Sequence, residues 1–413
     1  MVARRRLLIL GSLIAATVSA ASLSWQALPA TAGTNGTLFG LNPAPGAVFA
    51  IDPSTGASTK LTDLPVDPTG QPPTFFGLAS DPAHHLLFTV RAFYTDFTFT
   101  TIRWQVVTID SRTGATALSP ALARDVPSDL AFDPSTGGLF GVSGSQAPQS
   151  VVRIDPATGA ITHIADLPGQ FAGRFAYAPA SHALYVPTQE FVNFNVLNVV
   201  ITVDTLTGAF SQSLGMTVPI DQVAYDGSSG VLFGKGGGPP ASIFRLDPTT
   251  GAQTLVAPTQ GTFFQTMSID SAAHTIYVKN DEFPPSGGSV VQSIQSVNDQ
   301  TGDYTVSTGA LPSDWYINTL VFEGAAAITP ASVAADVRQS FASGAIQTQG
   351  LENALLAQLE AAADARARGQ CATAADIYAA VIRTLRAQSG HQIDVATASQ
   401  LIAEIQFLID NCP

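Results

Sequence analysis

One short motif recurs along the chain and constrains its fold more than any other feature. It reads apolar-Asp-Pro-x-Thr-Gly-Ala, and successive copies lie 43–58 residues apart. An Asp side chain accepts bonds from backbone N–H groups two residues on, Pro presets the next φ, and Gly tolerates the left-handed conformation. Each copy is therefore predicted to be the tight turn of a β-hairpin. The copies begin at Ile51, Ile109, Ile154, Val203, Leu246 and, in degenerate form, Asn298.

A second hairpin precedes these turns and is clearest in residues 130–141. Its turn position is Gly137 and Gly230 in two copies. The same position is His85, His182 and His274 in three others. His is among the non-glycine residues that are enriched at positive φ. These three histidines are therefore interpreted as turn residues and not as catalytic groups.

Each unit thus contains four short strands. Four strands that repeat at this period predict an all-β, six-bladed β-propeller over residues 33–324. The first copy, from Thr37 to about Leu64, lacks its inner strand, and residues 317–322 supply one at the other end. This 3+1 closure pairs the chain ends within one four-stranded blade and leaves no free edge. A seventh blade is the alternative if residues 90–104 contain extra strands.

Residues 1–32 have the pattern of a signal peptide. Three arginines at 4–6 precede an apolar run from Leu7 to about Val18, and Ala30-Thr31-Ala32 is a small-x-small cleavage pattern. An uncleaved anchor is the alternative, and the arginines also fit a loose twin-arginine signal. We expect a secreted or extracytoplasmic protein, with cell-surface association left open and no stable membrane span after cleavage.

The charge balance excludes one class of partner. The chain carries 18 basic and 31 acidic residues, and only 12% of its residues are charged. A nucleic-acid binder needs a basic footprint, which this chain lacks. In a propeller the inner strands are buried on both faces, so charge is excluded there, and many acids fall in turns. The acidity therefore reflects turn chemistry as much as any partner.

Residues 325–413 are rich in Ala, Leu and Gln and are predicted to form a small all-α module. Their apolar residues recur at helical spacing, and a Gly follows each of the first three helices, as C-capping predicts. The predicted helices are Ser332–Ser343, Thr348–Arg368, Thr373–Gln388 and Ile393–Leu408.

Both cysteines of the chain lie in this module. Cys371 and Cys412 are nearly equidistant from the turn between the last two helices. Antiparallel packing of those helices would bring them together, and an exported chain with two cysteines favours a disulfide. Two unpaired thiols are the alternative.

Two resemblances follow from these motifs. The repeat region resembles secreted bacterial propellers with YVTN-like or quinoprotein-like blades, which implies a fold and hardly a function. The tail resembles the helical module called FIMAH, which implies an accessory docking or stabilising role. The residues that carry the second resemblance are Gly344, the run Leu351–Leu359, Gly369, Gly390 and Ala398-x-x-Leu401-Ile402-x-x-Ile405.

Candidate ligand-binding residues lie at the starts of the inner strands, where propellers usually bind at the mouth of the central channel. Because side chains alternate along a strand, one polar column shares a face. Asp129 and Arg174 in this column could pair or contact a polar ligand, and a solvated funnel is the alternative. The column comprises Asp129, Arg174, Gln222, Thr266 and Asn318.

The variable loops and inter-strand connections are rich in aromatic residues. Gathered at one end of a propeller, they would form a recognition surface, because aromatic residues dominate interface energetics. The alternative is that they pack on their own loops or close gaps between blades. The candidates are Phe93, Tyr94, Trp104, Phe191 and Trp315.

No nucleophile elbow, phosphate loop or zinc-protease motif is present in the sequence. We therefore expect an exported, non-catalytic binding or scaffold protein, without a cofactor, that binds an extracellular ligand, protein or glycan of unknown identity. The alternative is a propeller enzyme, namely a lyase, a lactonase or a quinoprotein-like oxidoreductase, with its site at the channel mouth. Calcium would suit a lactonase, with Asp129, Asp221 and Asn318 as the candidate ligands.

Overall fold

The structure is a computed structural model that describes most of the chain from residue 36 onwards. The expected signal peptide at 1–32 lies outside the described residues. The described ranges are 36–66, 73–95, 101–144, 148–168, 171–192, 195–238, 240–261, 263–283, 289–312, 316–324, 328–342 and 344–412.

The described strands form six antiparallel sheets, which are the six blades of a propeller. The first three blades contain β1 (Gly36–Asn42), β2 (Ala47–Ile51) and β3 (Ser58–Asp63); β4 (Thr74–Asp81), β5 (Leu86–Tyr94), β6 (Ile102–Asp110) and β7 (Thr116–Leu118); β8 (Leu130–Asp133), β9 (Gly138–Ser143), β10 (Gln149–Ile154) and β11 (Ile161–Leu167).

Blade 4 has its inner strand in two pieces, and blades 5 and 6 follow the four-stranded plan. Their strands are β12 (Phe171–Ala172), β13 (Ala176–Ala178), β14 (Ala183–Val192), β15 (Asn195–Asp204) and β16 (Phe210–Gln212); β17 (Ile220–Asp226), β18 (Val231–Gly236), β19 (Ser242–Leu246) and β20 (Gln253–Pro258); β21 (Phe263–Asp270), β22 (Thr275–Glu282), β23 (Val291–Asn298) and β24 (Tyr304–Val306).

The ring closes as the sequence predicts. The last strand, β25 (Thr319–Gly324), pairs with β1, so blade 1 has the order β25-β1-β2-β3. Leu38 lies opposite Phe322 and Leu41 lies opposite Thr319. The alternative of a seventh blade is wrong, because the described strands form six blades and residues 90–94 and 102–104 belong to the paired strands β5 and β6 of blade 2. Residues 96–100 lie outside the described residues.

The repeated turns form as their residues dictate. In the first copy, Asp52 Oδ1 accepts the N–H of Ser54 at 2.8 Å and of Thr55 at 3.4 Å. In the degenerate sixth copy, Asn298 takes the same role. The turn glycine Gly208 has φ +74°, and a Cβ there would lie 2.3 Å from the carbonyl oxygen of Ile164 in the preceding blade. The glycine is therefore required by both the turn and the packing between blades.

The three turn histidines are confirmed as left-handed residues. His85, His182 and His274 have φ values of 54°, 52° and 51°. They are the non-glycine residues with positive φ in the described part of the chain.

The helical module contains α1 (Pro330–Ala342), α2 (Gln349–Ala367), α3 (Cys371–Gln388) and α4 (Val395–Asp410). These bounds lie within three residues of the predicted ones. Helices α2, α3 and α4 share one apolar core, against which α1 packs Val333 and Val337. The predicted disulfide between Cys371 and Cys412 is confirmed. None of the described helices is both long and apolar enough to cross a membrane.

The two ends of the propeller have different neighbours. The last hairpin turn of every blade and the first hairpin turn of blades 2 to 6 lie at one end, here called the turn end, because the strands are antiparallel. The middle loops and the connections between blades lie at the other, here called the mouth end. Asp336 of α1 contacts the turn end, 3.4 Å from Arg112 Nη1 and 3.9 Å from His85 Nε2. The helical module therefore lies against the turn end.

Candidate functional site

A cavity of about 400 Å³ opens at the mouth end, a volume within the range of ligand pockets. Its lining residues come from five blades. Three of the predicted ligand residues, Asp129, Arg174 and Asn318, are among them, and so is Asp221. Phe75 and Phe76 provide an apolar wall.

A proline explains why Arg174 enters the channel. Pro187 of β14 has no N–H, so the inner strand of blade 4 loses a ladder bond and splits into β12 and β13. Gly173 still donates its N–H to the Pro187 carbonyl. Arg174 instead pairs with blade 5, donating its N–H to the Asp221 carbonyl at 2.9 Å and accepting that of Val223 at 2.9 Å.

The Arg174 side chain crosses the channel from blade 4 to blades 6 and 1. Its Nη1 donates to Thr266 Oγ1 at 2.8 Å, and its Nη2 donates to the carbonyl oxygen of Asn318 at 2.7 Å. A guanidinium held by two distant blades is fixed in position, which is what a binding site needs from a charged group.

Asp129 provides a carboxyl group that differs from an ordinary surface carboxylate. Burial raises its pKa, and the nearby Arg174 guanidinium offsets part of that rise. The Leu130 N–H donates to its Oδ1 at 3.2 Å. A carboxyl group with a raised pKa can act as a donor as well as an acceptor towards a ligand.

The side chains of Gln222 and Thr266 form hydrogen bonds between different blades. The Gln222 amide accepts the N–H of Met267 at 2.9 Å and donates to its carbonyl oxygen at 2.8 Å, so it joins blades 5 and 6. Thr266 is fully buried, and its hydroxyl oxygen accepts bonds from Arg174 and from the Leu320 N–H. Neither residue lines the cavity.

Two buried lysines, which the sequence interpretation missed, stand beside Arg174. Lys235 is 2% exposed, and its ammonium group lies 2.8 Å from the Asp221 carboxylate. Lys279 is fully buried, 2.8 Å from Asp281 Oδ2, and its Nζ lies 4.9 Å from the centre of the Tyr316 ring. Burial lowers the pKa of both lysines, and each aspartate partner opposes that shift.

A signal for these lysines is present in the sequence. Aligning the second strand of each blade on its hairpin register puts Lys235 and Lys279 in one column. The chain has three lysines in all, and two of them fall in this one column on neighbouring blades. The other four blades have apolar residues there, namely Leu41, Val90, Val142 and Pro187.

The predicted recognition aromatics are partly buried where they are described. Trp104 packs on Phe76, with ring centroids 5.4 Å apart. The Arg91 guanidinium lies 4.6 Å from the centre of the Phe93 ring, and Tyr94 ends β5 with intermediate exposure. Trp315 and the side chain of Phe191 lie outside the described residues.

Several exposed large apolar side chains lie at the mouth end. Of the thirteen in the described part of the propeller, six lie on mouth-end loops or strand ends, Leu206 lies in a turn at the opposite end, and the other six lie on or just after the outer strands. Such exposure is typical of interaction surfaces. The six at the mouth end are Val66, Ile102, Val196, Phe283, Val291 and Tyr316, each at least 41% exposed.

Clusters of metal-ligating side chains lie elsewhere. In the described ranges, groups of three or more such side chains occur at His85, Asp336 and Glu404 and at Asp226, His274 and Asp299. Neither cluster includes Asp129 or Asp221. The Asp221 carboxylate is paired with Lys235. A calcium ion at the channel mouth stays a prediction.

Comparison with known proteins shows the fold. No family model matches the chain, and no curated protein matches it. The chain is similar to a chain in the crystal structure of a nidogen/laminin complex, with 10% identity, a TM-score of 0.52, and coverage of 71% of this chain and 100% of that one. It is also similar to TolB from Acinetobacter baumannii, with 10% identity and a TM-score of 0.49, covering 70% of this chain and 66% of TolB. The chain thus spans just under two thirds of TolB.

Proposed function

We propose that the protein is an exported, non-catalytic binding protein whose propeller takes a segment of a partner protein at the mouth end. The observation that carries this proposal is the presence, at one end of the propeller, of both exposed apolar side chains and a cavity with fixed polar groups. A peptide segment offers both apolar side chains and backbone hydrogen-bonding groups.

The polar groups of the cavity suit a neutral hydrogen-bonding ligand. Arg174 brings positive charge to the cavity wall, and beside it the Asp221 carboxylate is paired with the buried Lys235. Asp129 adds a carboxyl group whose pKa is raised by burial. A peptide backbone meets these groups without burying an unpaired charge.

Export is part of the same proposal. The signal-like residues 1–32 and the disulfide between Cys371 and Cys412 both suit an oxidising, extracytoplasmic compartment. The YVTN-like and FIMAH-like resemblances point the same way. The helical module has its own apolar core and contacts the turn end through Asp336, which suits a stabilising role.

A displayed random-peptide library and a panel of soluble glycans, screened on the full chain, test the proposal. Affinity of the selected peptides is then measured by calorimetry on three variants. Asp129→Ala removes the carboxyl group from the cavity wall, and Val196→Asp places a charge among the exposed apolar side chains of the mouth end, at a side chain 48% exposed. Phe210→Asp is the matched control, since Phe210 is 50% exposed in the same blade but on its outer strand.

We expect both site variants to weaken peptide binding about tenfold or more, the loss typical of a central interface residue. The control should bind like the wild type. Enrichment of no peptide, binding of glycans only, or equal losses in Val196→Asp and Phe210→Asp would each overturn the proposal.

A further inference from the structure

The junction of blades 5 and 6 at the turn end brings together two carboxylates and an imidazole. Asp226 ends the inner strand of blade 5, His274 is in the first turn of blade 6, and Asp299 is in the last turn of blade 6. The His274 Nδ1 lies 3.5 Å from Asp299 Oδ1 and 3.8 Å from Asp226 Oδ2. These separations are too long for good hydrogen bonds.

Two atoms of this cluster are buried without a partner. Asp299 is 2% exposed, and its Oδ2 accepts no hydrogen bond. The His274 Nδ1 is likewise buried and unpaired. Buried polar atoms are nearly always satisfied by protein, water or an ion. These two unpaired atoms indicate that the junction lacks a positively charged or hydrogen-bond-donating group.

The equivalent junction of blades 3 and 4 has no such shortage. There Asp133 corresponds to Asp226 and His182 to His274, but Thr205 stands where Asp299 stands. The Thr205 hydroxyl donates to the His182 carbonyl at 3.0 Å, and Tyr177 lies 3.4 Å from both the Asp133 carboxylate and His182 Nδ1. The second carboxylate thus distinguishes the blade 5–6 junction from its counterpart.

We propose that Asp226, His274 and Asp299 bind a divalent metal ion of the zinc class. Tetrahedral zinc with ligand bonds of about 2.0–2.2 Å places its ligand atoms about 3.3–3.5 Å apart, close to the separations seen here. All three ligand atoms lie within 4.8 Å of one another. An imidazole nitrogen with few oxygens suits zinc better than calcium, which takes six to eight oxygens.

The surroundings support an ion at this place. The Asp226 carboxylate is oriented by the hydroxyl groups of Ser228 and Ser229, as ligating carboxylates usually are. The His274 side chain is 34% exposed although its Nδ1 is buried, so the imidazole borders solvent on the side away from the carboxylates. Arg245 donates to the backbone carbonyl of Asp299 at 2.6 Å, which fixes the turn.

The competing explanation is a protonated His274 that bridges the two carboxylates without an ion. Zinc binding to the full, chelator-stripped chain, measured by calorimetry and by metal content after gel filtration, separates the two. We expect about one tightly held zinc ion per chain, and a higher melting temperature when zinc is added.

The variants are chosen from residues that the same turn already accepts. His274→Asn keeps a residue that tolerates positive φ, and Asp299→Thr restores the residue of blade 4. Each should weaken zinc binding at least about tenfold while the chain stays folded. His182→Asn and His85→Asn are matched controls at the same turn position in blades 4 and 2, and both should bind zinc like the wild type.

Three results would overturn the proposal. They are no zinc binding by the wild type at micromolar concentration, unchanged binding by both His274→Asn and Asp299→Thr, or loss of the ion in His85→Asn only. The last result would move the ion to the His85, Asp336 and Glu404 cluster.

Discussion

At the residue scale, the residue at the turn position of the first hairpin (His or Gly) limits which residue can follow the Asp or Asn of the last turn in the same blade. Where the first turn carries His, the residue after the last turn's Asp or Asn donates its N–H to that His carbonyl, at 2.8–3.0 Å. Pro cannot make this bond. The His blades accordingly pair His85 with Ser111, His182 with Thr205 and His274 with Asp299, whereas the Gly blades pair Gly137 with Pro156 and Gly230 with Pro248.

Glu323 is a buried carboxyl group where the ring closes. Burial raises its pKa to about 8, while a hydrogen bond from Ser111 Oγ at 3.0 Å and the nearby Arg112 oppose the rise. Asp81 and Asp110 also face it and add to the rise. Its contribution to stability is thus fully present below its unfolded pKa, near 4.5, and is lost as pH rises through 8.

Glu323→Gln keeps the shape and the neutral state of this group. We expect the wild type to lose stability between pH 5 and pH 8.5 and the variant to lose less, so that Glu323→Gln melts higher than the wild type at alkaline pH only. Melting temperatures across that range provide the measurement. Parallel curves for the two proteins would contradict the raised pKa.

At the element scale, the disulfide links Cys371, the first residue of α3, to Cys412, which lies two residues after the end of α4. The last turn of α4 is also held by Arg366, which donates to the carbonyl oxygens of Leu408 and Asn411 at 2.6 and 2.7 Å. Closing a loop with a sequence separation of 41 lowers the entropy of the unfolded chain.

Replacing Cys371 and Cys412 together by Ala should lower the stability of the helical module by about 4 kcal/mol, the value of the chain-entropy model for a loop of this length. Helix content followed by circular dichroism in denaturant measures the loss. The wild type in a thiol reductant serves as the comparison and should shift equally. A variant as stable as the oxidised wild type would show that the loop is already constrained without the bond.

At the scale of the whole molecule, α1 and the turn end share a buried ionic contact. Burial and the neighbouring Glu404 carboxylate raise the pKa of Asp336 to about 7, and the Arg112 guanidinium opposes this. Burial and Arg112 lower the pKa of His85 to about 4, so the imidazole is neutral at pH 7. Arg112 is thus the cation that balances Asp336 at neutral pH.

Arg112→Ala should destabilise the chain by about 1–3 kcal/mol at pH 8, because an ionised Asp336 would lose its partner. At pH 5, where Asp336 is protonated, the loss should be smaller. Differential calorimetry measures both and should show the module melting earlier. Arg338→Ala, an exposed arginine on the same helix, is the control. Equal losses for the two variants would mean that the ionic contact does not hold α1 to the propeller.

The sequence by itself determined the blades, the closing strand, the turn histidines and the disulfide. Each depends on a local rule: the alternation of strand side chains, the φ that a turn demands, or the distance of two residues from one hairpin. Of the predicted channel column, Asp129, Arg174 and Asn318 lie at the cavity wall, and their role in binding stays a prediction. The sequence interpretation missed Lys235 and Lys279, although both occupy the same aligned position in the second strands of neighbouring blades.

Only the tertiary structure decided which polar groups meet. Asp226, His274 and Asp299 lie in different turns of two blades, and Arg112 meets Asp336 across more than 200 residues. Gln222, predicted in the same channel column as Asp129, does not line the cavity and joins two blades through the backbone of Met267. These contacts depend on how adjacent twisted sheets are rotated and packed against one another. The whole ring sets that rotation, and no local sequence pattern encodes it.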